Sequence, residues 1–358
     1  MEFYFVTFLT VLLTAVFWFI RKKYNYWSDL GVLSFPISFP YGNIKGVGKK
    51  HHISKFLVDI YGKLKKAGAP IGGFYMFVRP IAIVTDLDIV KSILIKDFNT
   101  FPNRGLYFNE ADDPLSAHLF NIEDGPWKTL RNKLTPTFTS GKLKMMFQTV
   151  LDVADKLIET LEKESSTSGQ LEVKDLMSRF TTDVIGSVAF GIECNSLNDK
   201  TAKFYEMGTR SFSRPSNLFK RFIRSSFKDV ARKLHMRITS DEVSKFYIGV
   251  TVDTVEYREK NPQVKRHDFM NLLIQMKNTK GPDSITVNQI AAQSFIFFLA
   301  GFETSSSTMT YCLYELSLND KLQDKVRQTI KDVIEKHGNF SYEAVNDMHY
   351  LEQCVNGI

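Results

Sequence analysis

The sequence predicts a mainly α-helical protein with a small β element and one amino-terminal membrane helix. Three observations carry that prediction. Ile290 to Tyr311 form one of the most apolar runs in the chain, with the period and length of a buried helix. Phe3 to Ile20 are 18 consecutive residues without a charge. From residue 87 onward helical patterns dominate, and only Gly73 to Val84 reads as strand.

At the amino terminus, the 18 uncharged residues would span about 27 Å as a helix, near the thickness of a hydrocarbon core. Arg21, Lys22 and Lys23 follow at once. A cleaved signal peptide places its positive residues before the apolar run and small residues at the cut. Here the positive cluster comes after, and Trp18-Phe19-Ile20 is bulky. Residues 1–20 are therefore expected to be an uncleaved transmembrane anchor, with the body held on the cytoplasmic side by the positive-inside bias.

Residues 21–43 hold the basic cluster, then Trp27, Pro36, Pro40 and Gly42 in an aperiodic stretch, and read as a stiff linker. Gly73 to Val84 reads as two short strands broken at Arg79-Pro80. Asp86 can cap a helix over Leu87–Lys96. Further helices are expected over Pro126–Leu134, Lys142–Lys163, Val173–Phe190, Ala202–Thr209, Ser240–Glu259, Asp268–Lys277, Val287–Ser317 and Lys321–His337. No internal repeat is visible.

The 358 residues suffice for one large domain or two ordinary ones, and 44% hydrophobic content with thirty phenylalanines points to a large apolar interior. A net charge of +7 favours acidic membrane surfaces or an acidic protein partner, without a nucleic-acid signature. Cys194, Cys312 and Cys354 are far apart and odd in number, so neither a disulfide framework nor a zinc site is suggested, and the body reads as residing in a reducing compartment. Residues 212–228 mix Phe212, Phe219, Phe222 and Phe227 with Arg214, Lys220, Arg221, Arg224 and Lys228, which suits a membrane interface or, equally, a solvated loop and an ordinary helix.

Two constellations point to chemistry. Ala300-Gly301-Phe302-Glu303-Thr304-Ser305 interrupts the apolar run. An acid and a hydroxyl in a buried helix are costly unless something there needs them. Gly301 costs about 1 kcal/mol of helix propensity relative to alanine, but leaves room for a flat ligand to approach the backbone. Acid, alcohol and gap together suggest proton delivery beside a large planar group. The second constellation, Gly125-Pro126-Trp127-Lys128-Thr129-Leu130-Arg131, opens a helix with Asp124 as its expected N-cap. Trp127 and Arg131 are four apart and share a face, and an indole N–H with a guanidinium fork could hold a carboxylate. The structural alternative is a tryptophan that anchors a surface helix beside a solvated arginine.

The second segment continues Asn132-Lys133-Leu134-Thr135-Pro136-Thr137-Phe138-Thr139-Ser140-Gly141-Lys142-Leu143-Lys144. With it the chain resembles the membrane-bound haem-thiolate monooxygenases, the cytochrome P450 superfamily, closest to the insect branch associated with foreign-compound metabolism. The resemblance takes in the anchor, the linker ending Phe39-Pro40-Tyr41-Gly42-Asn43, the Trp-x-x-x-Arg helix and the Ala-Gly-x-Glu-Thr-Ser helix. It implies the P450-type helical fold over residues 44–358. It also implies a haem cofactor, electrons from an NADPH-dependent flavoprotein reductase, oxygen insertion into small apolar substrates, and residence in the endoplasmic reticulum membrane.

Residue by residue, the resemblance implies that Trp127 and Arg131 contact the haem propionates. Arg104, in Phe101-Pro102-Asn103-Arg104, would be a further propionate contact, and His118 could reach the same region. Ala300 and Gly301 would face the haem, Thr304 would donate a hydrogen bond at the oxygen site, and Glu303 would belong to the proton relay behind it. Phe108, Leu115, Phe120 and Phe297 are candidates for the apolar substrate pocket, or plain core.

The sequence departs from the family at the axial ligand. The Phe-x-x-Gly-x-Arg-x-Cys-x-Gly loop and the Glu-x-x-Arg pair are not found, and the three cysteines have other surroundings. Relatives continue after the position of Asn356 with Glu-Thr-Leu-Arg. Here Gly357-Ile358 follow, as a retained intron, a gene-model error, a true short transcript or a fragment would each give. The domain therefore reads as incomplete at its carboxyl end. A chain without the thiolate is expected to bind haem poorly and not to perform the family reaction. The non-catalytic alternatives are a truncated membrane-tethered remnant and a protein that sequesters hydrophobic ligands.

Overall fold

The computed structural model describes residues 2–213, 217–264, 266–279, 281 and 284–358. The chain divides into two compact units: Met1–Tyr107 with Ser216–Met236, and Phe108–Pro215 with Arg237–Ile358.

The first unit begins with α1 (Glu2–Tyr24), exposed along nearly its whole length and long and apolar enough to cross a membrane. The Thr7, Thr10 and Thr14 hydroxyls each donate to the carbonyl four residues back, at 2.8, 2.9 and 2.8 Å. That satisfies them without water, which a helix in lipid requires. The basic residues of its last turn fold back over aromatic rings, Lys22 over Trp18 at 5.3 Å and Lys23 over Phe19 at 5.6 Å.

The stretch read as a linker packs instead of spanning. Within it, α2 (Tyr26–Asp29) buries Trp27, whose indole N–H donates to the Phe74 carbonyl at 3.2 Å. After α3 (Ile53–Lys66), the antiparallel strands β1 (Ile71–Met76) and β2 (Arg79–Val84) pair Ile71 with Val84 and Met76 with Arg79. The turn falls at Phe77-Val78, two residues earlier than the expected break at Arg79-Pro80, and Phe77 takes φ 58°. A Cβ on Gly73 would meet the Trp27 ring at 2.3 Å, so the bare strand is what lets the indole lie on it. Next, α4 (Leu87–Lys91) is capped by Asp86 as expected and runs on as a π-helical turn to Lys96.

The second unit is helical throughout. It holds α5 (Asp124–Leu134), α6 (Ser140–Ser168), α7 (Val173–Ile185, with a π-helical turn to Phe190) and α8 (Lys203–Phe212). The chain then re-enters the first unit for α9 (Leu218–Ser226), inside the stretch for which an ordinary helix was one of two readings, and α10 (Lys228–Lys233), which was not among the expected helices. Back in the second unit come α11 (Asp241–Lys260), α12 (Phe269–Lys277), α13 (Val287–Ser317), α14 (Asp320–His337), α15 (Tyr342–Asn346) and α16 (His349–Asn356). Ser240 and Asp268, counted as helical in the sequence reading, are N-caps that accept from Val243 and Asn271. Asp124 is a correction in the other direction. It is the first helical residue of α5, at φ 55°, and Glu123 precedes it without a side-chain cap bond.

The basic and aromatic stretch 212–228 is shared between the units. Phe212 stacks on Phe302 at 5.9 Å in the second. In the first, Phe222 meets Phe77 at 5.5 Å and Phe227 meets Phe19 at 6.3 Å, while Phe219 stays exposed. Arg214 lies outside the described residues.

Candidate functional site

The site candidates α5 and α13 both belong to the second unit and share its main core. Leu130 and Leu134 of α5 are buried in the same cluster as Ile290, Ala291, Phe295, Phe298 and Phe302 of α13. The loop ahead of α5 is tied to α13 directly: the Leu119 N–H donates to Gln293 Oε1 at 2.9 Å. Gln293 is fully buried, a polar residue set inside the apolar run.

The α13 helix starts with a capping box between Thr286 and Gln289 and is buried through Phe298 on most sides. From Ala300 on, one face opens. Ala300, Thr304, Thr308 and Tyr311 are exposed, spaced three or four residues apart, so they form one stripe. The expectation of a helix buried all round therefore holds only for its first half. The Thr304 hydroxyl donates to the Ala300 carbonyl at 2.5 Å, a local bond that serine and threonine favour inside helices.

Glu303 lies on a different side of the helix from Thr304. Its carboxylate accepts from Lys174 Nζ of α7 at 3.1 Å and from the Ser307 hydroxyl at 3.2 Å. Lys174 also donates to Ser306 and Ser307, both at 2.8 Å. The acid retains 44% of its side-chain exposure, so the expected buried carboxylate is a half-exposed, ion-paired one. No hydrogen bond joins Glu303 to Thr304 among the described residues.

Gly301 faces α7. A Cβ there would stand 2.6 Å from Ile185 Cδ1. The gap assigned to a flat ligand is thus occupied by an isoleucine, and the glycine is what lets the two helices close. Thr181 of α7 adds a hydrogen bond to the Phe302 carbonyl at 3.1 Å.

On α5, Trp127 is half-buried and Arg131 is exposed one turn later. Among the described residues no acid or carbonyl accepts from the Arg131 guanidinium. Arg104 is exposed and belongs to the first unit. His118 is buried at 6% exposure, beside Leu115 in a small cavity of the second unit. Among the pocket candidates, Leu115 is fully buried and Phe120 is 49% exposed. Phe108 is half-buried, and Phe297 packs edge-on to Phe269 at 4.4 Å and against Phe138 at 5.1 Å.

The family description "Cytochrome P450" matches residues 35–357. "Cytochrome P450 6A1" of Musca domestica is 44% identical over 358 residues, covering 97% of this chain and 69% of that protein. "Probable cytochrome P450 6a20" of Drosophila melanogaster is 44% identical over 359 residues, covering 98% and 72%. "Cytochrome P450 6a8" of the same fly is 43% identical, covering 96% and 70%. The chain belongs to the cytochrome P450 family, the haem-thiolate monooxygenases. Membership implies a haem cofactor, a redox partner that supplies electrons, and apolar substrates.

The residues present fit such a group at its edge and on one side. Arg131 is an exposed guanidinium free to take a carboxylate, and Ala300 leaves a low surface beside the Thr304 hydroxyl. The axial position is different. Cys194 is packed so closely that a Cβ on Gly186 would lie 2.1 Å from its sulfur, and burial pushes its thiol well above the usual range. Burial, with nearby Cys354 adding to it, also raises the Cys312 thiol. A thiol held protonated in apolar packing is a poor iron ligand.

Sequence reasoning missed Lys174 and Ile185 altogether, since nothing near either marks it. Gln293 could have been found as the one amide between Ile290 and Phe295.

Proposed function

We propose that this chain carries the cofactor-facing scaffold of a haem-dependent monooxygenase acting on small apolar, foreign-compound-type substrates. The body would stand on the cytoplasmic side of the endoplasmic reticulum membrane behind α1, in contact with membrane lipid, and take electrons from an NADPH-dependent flavoprotein reductase. The observation that carries the reading is the open stripe of α13. Ala300 and Thr304 are exposed on one face of a helix whose preceding turns lie in the core.

Bound haem supplies the oxygen chemistry. The protein's part is to hold and orient it and to manage protons. Trp127 and Arg131 would hold propionates through N–H donors. Ala300 offers the flat approach, and Gly301 sets its depth by letting α7 close on α13. The Thr304 hydroxyl can pass a proton without bringing a fixed charge, once it turns from the Ala300 carbonyl. Glu303, paired with Lys174, would be the acid behind it, and would have to leave that pair to serve.

Hemin titration of the detergent-solubilised chain, followed at the Soret band, tests this. A charge-assisted contact is worth about 1.5–3 kcal/mol, so Arg131→Ala should weaken binding on the order of tenfold or more. Lys128→Ala, a neighbouring exposed cation, should not. Equal affinities for the two variants would refute the assignment. With carbon monoxide, the reduced complex should lack the red-shifted thiolate band. A second reading, hydrophobic-ligand sequestration, is favoured by a groove of about 530 Å³ lined by Thr304, Thr308, Met309, Leu313, Leu316 and Val355. Retention of an apolar fluorescent dye by a chain that takes up no hemin would support it.

A further inference from the structure

Inside the second unit lies a cavity of about 100 Å³ whose lining includes Leu115, His118, Asn121, Ser211, Phe295 and Leu299. His118 is its only titratable lining residue. Three linked observations fix the state of that imidazole. First, Asn121 Nδ2 donates to the Ser116 carbonyl at 3.1 Å, which sets the amide with its NH₂ on that side. Second, the same Nδ2 stands 3.2 Å from His118 Nε2. Third, burial pushes the His118 pKa down to about 4, against a weaker opposing pull from its own backbone, so the ring is neutral near pH 7. A ring nitrogen that accepts from an amide N–H carries no proton. The proton of the neutral ring is therefore on Nδ1.

That Nδ1–H is buried and meets no hydrogen-bond partner. An unmet buried donor costs free energy comparable to a lost hydrogen bond. The cavity lining is mostly apolar, and the serine hydroxyls among it are hydrogen-bonded elsewhere. Ser116 is bonded to Asp113 and Asn109, Ser211 to Met207, and Ser240 to Val243.

We propose that this cavity binds a compact apolar group bearing a hydrogen-bond acceptor, a ketone, ether or ester oxygen, and that His118 Nδ1–H is the donor that selects it. The inference rests on the oxidative reading above only in calling that ligand a substrate moiety; the binding itself needs no haem. Phe295 and Leu299 precede Thr304 on the same helix by about two and a half and one and a half turns. A cavity of about 150 Å³ accepts benzene, so this one suits about five heavy atoms.

The test uses the whole chain in detergent, histidines labelled with ¹⁵N, titrated with cyclobutanone and with methylenecyclobutane. The two probes have the same shape, but only the ketone carries an acceptor. The expected result is a His118 Nδ1–H shift with the ketone and roughly three- to tenfold tighter binding of the ketone than of the alkene. His118→Phe should abolish that preference, and His118→Gln, which restores an N–H, should recover part of it. Equal affinities for the probes in the unmodified chain would overturn the proposal. So would saturation by the ketone without any His118 shift, or a cavity that keeps its water and admits neither probe. Because hemin is absent from this titration, its failure and a failure of the haem-binding experiment are read separately.

Discussion

Acidification should destabilise the protein through His118, and the size of the effect follows from the burial of that ring. Its pKa is lowered from 6.5 to about 4 in the folded chain. Between those values the unfolded chain binds the proton and the folded chain does not. Stability therefore falls as pH drops from about 6.5 to about 4, and this contribution is level outside that window. About 2.5 pKa units at 1.36 kcal/mol each give a loss on the order of 3 kcal/mol. Carboxylates titrate near the lower end of the same range, so the raw pH dependence does not isolate the histidine. Comparison with His118→Phe does, since the ring shape and the other groups are kept. Urea unfolding of both proteins, followed by far-ultraviolet circular dichroism at pH 7, 6, 5 and 4.5, should show the unmodified chain losing stability faster between pH 6.5 and 4.5. Parallel curves for the two proteins would refute a buried neutral imidazole.

Other expectations follow from packing and charge. Asp268 is nearly buried, binds Arg258 through two bonds of 2.7 and 2.6 Å and caps α12 through the Asn271 N–H at 2.9 Å. Asp268→Ala should cost about 3–5 kcal/mol by stranding a buried guanidinium, whereas Lys260→Ala, which breaks an exposed pair with Glu256, should cost less than about 1. Thermal melts that rank the two alike would count against this. Two helical glycines should respond with opposite signs. Gly249 has no atom within 4 Å of a new Cβ, so Gly249→Ala should stabilise by about 0.4–1 kcal/mol. A Cβ on Gly208 would meet the Phe298 ring at 2.6 Å, inside a packed cluster of rings, so Gly208→Ala should destabilise by about 1–3 kcal/mol despite its better helix propensity. A stabilised Gly208→Ala in urea titration would show that the ring cluster yields. Lys174→Ala should change stability by less than about 1 kcal/mol, because Lys174 and Glu303 are both partly exposed. A larger loss in the same titration would show the pair to be buried in solution.

Family membership, the helical class, the apolar first helix and the long α13 were all legible in the chain, because each is written in local pattern. Val287–Ser317 was bounded correctly, and its start is local, set by the capping box of Thr286 and Gln289. Asp86 worked as a cap for the same reason, as its partner is three residues away. In the basic and aromatic stretch 212–228, sequence could not choose between a membrane interface and an ordinary helix, because the packing of Phe222 on Phe77 and of Phe227 on Phe19 comes from distant segments. The candidate site divided along the same line. Sequence named Trp127, Arg131, Ala300, Gly301, Glu303 and Thr304, but it could not say which way each looks. Only the tertiary arrangement gave Gly301 to Ile185, paired Glu303 with Lys174, left Thr304 exposed, and buried His118 beside a small cavity with one unmet proton. Motif spacing is a property of consecutive residues, whereas burial, charge pairing and protonation depend on atoms that the chain brings together from more than a hundred residues apart.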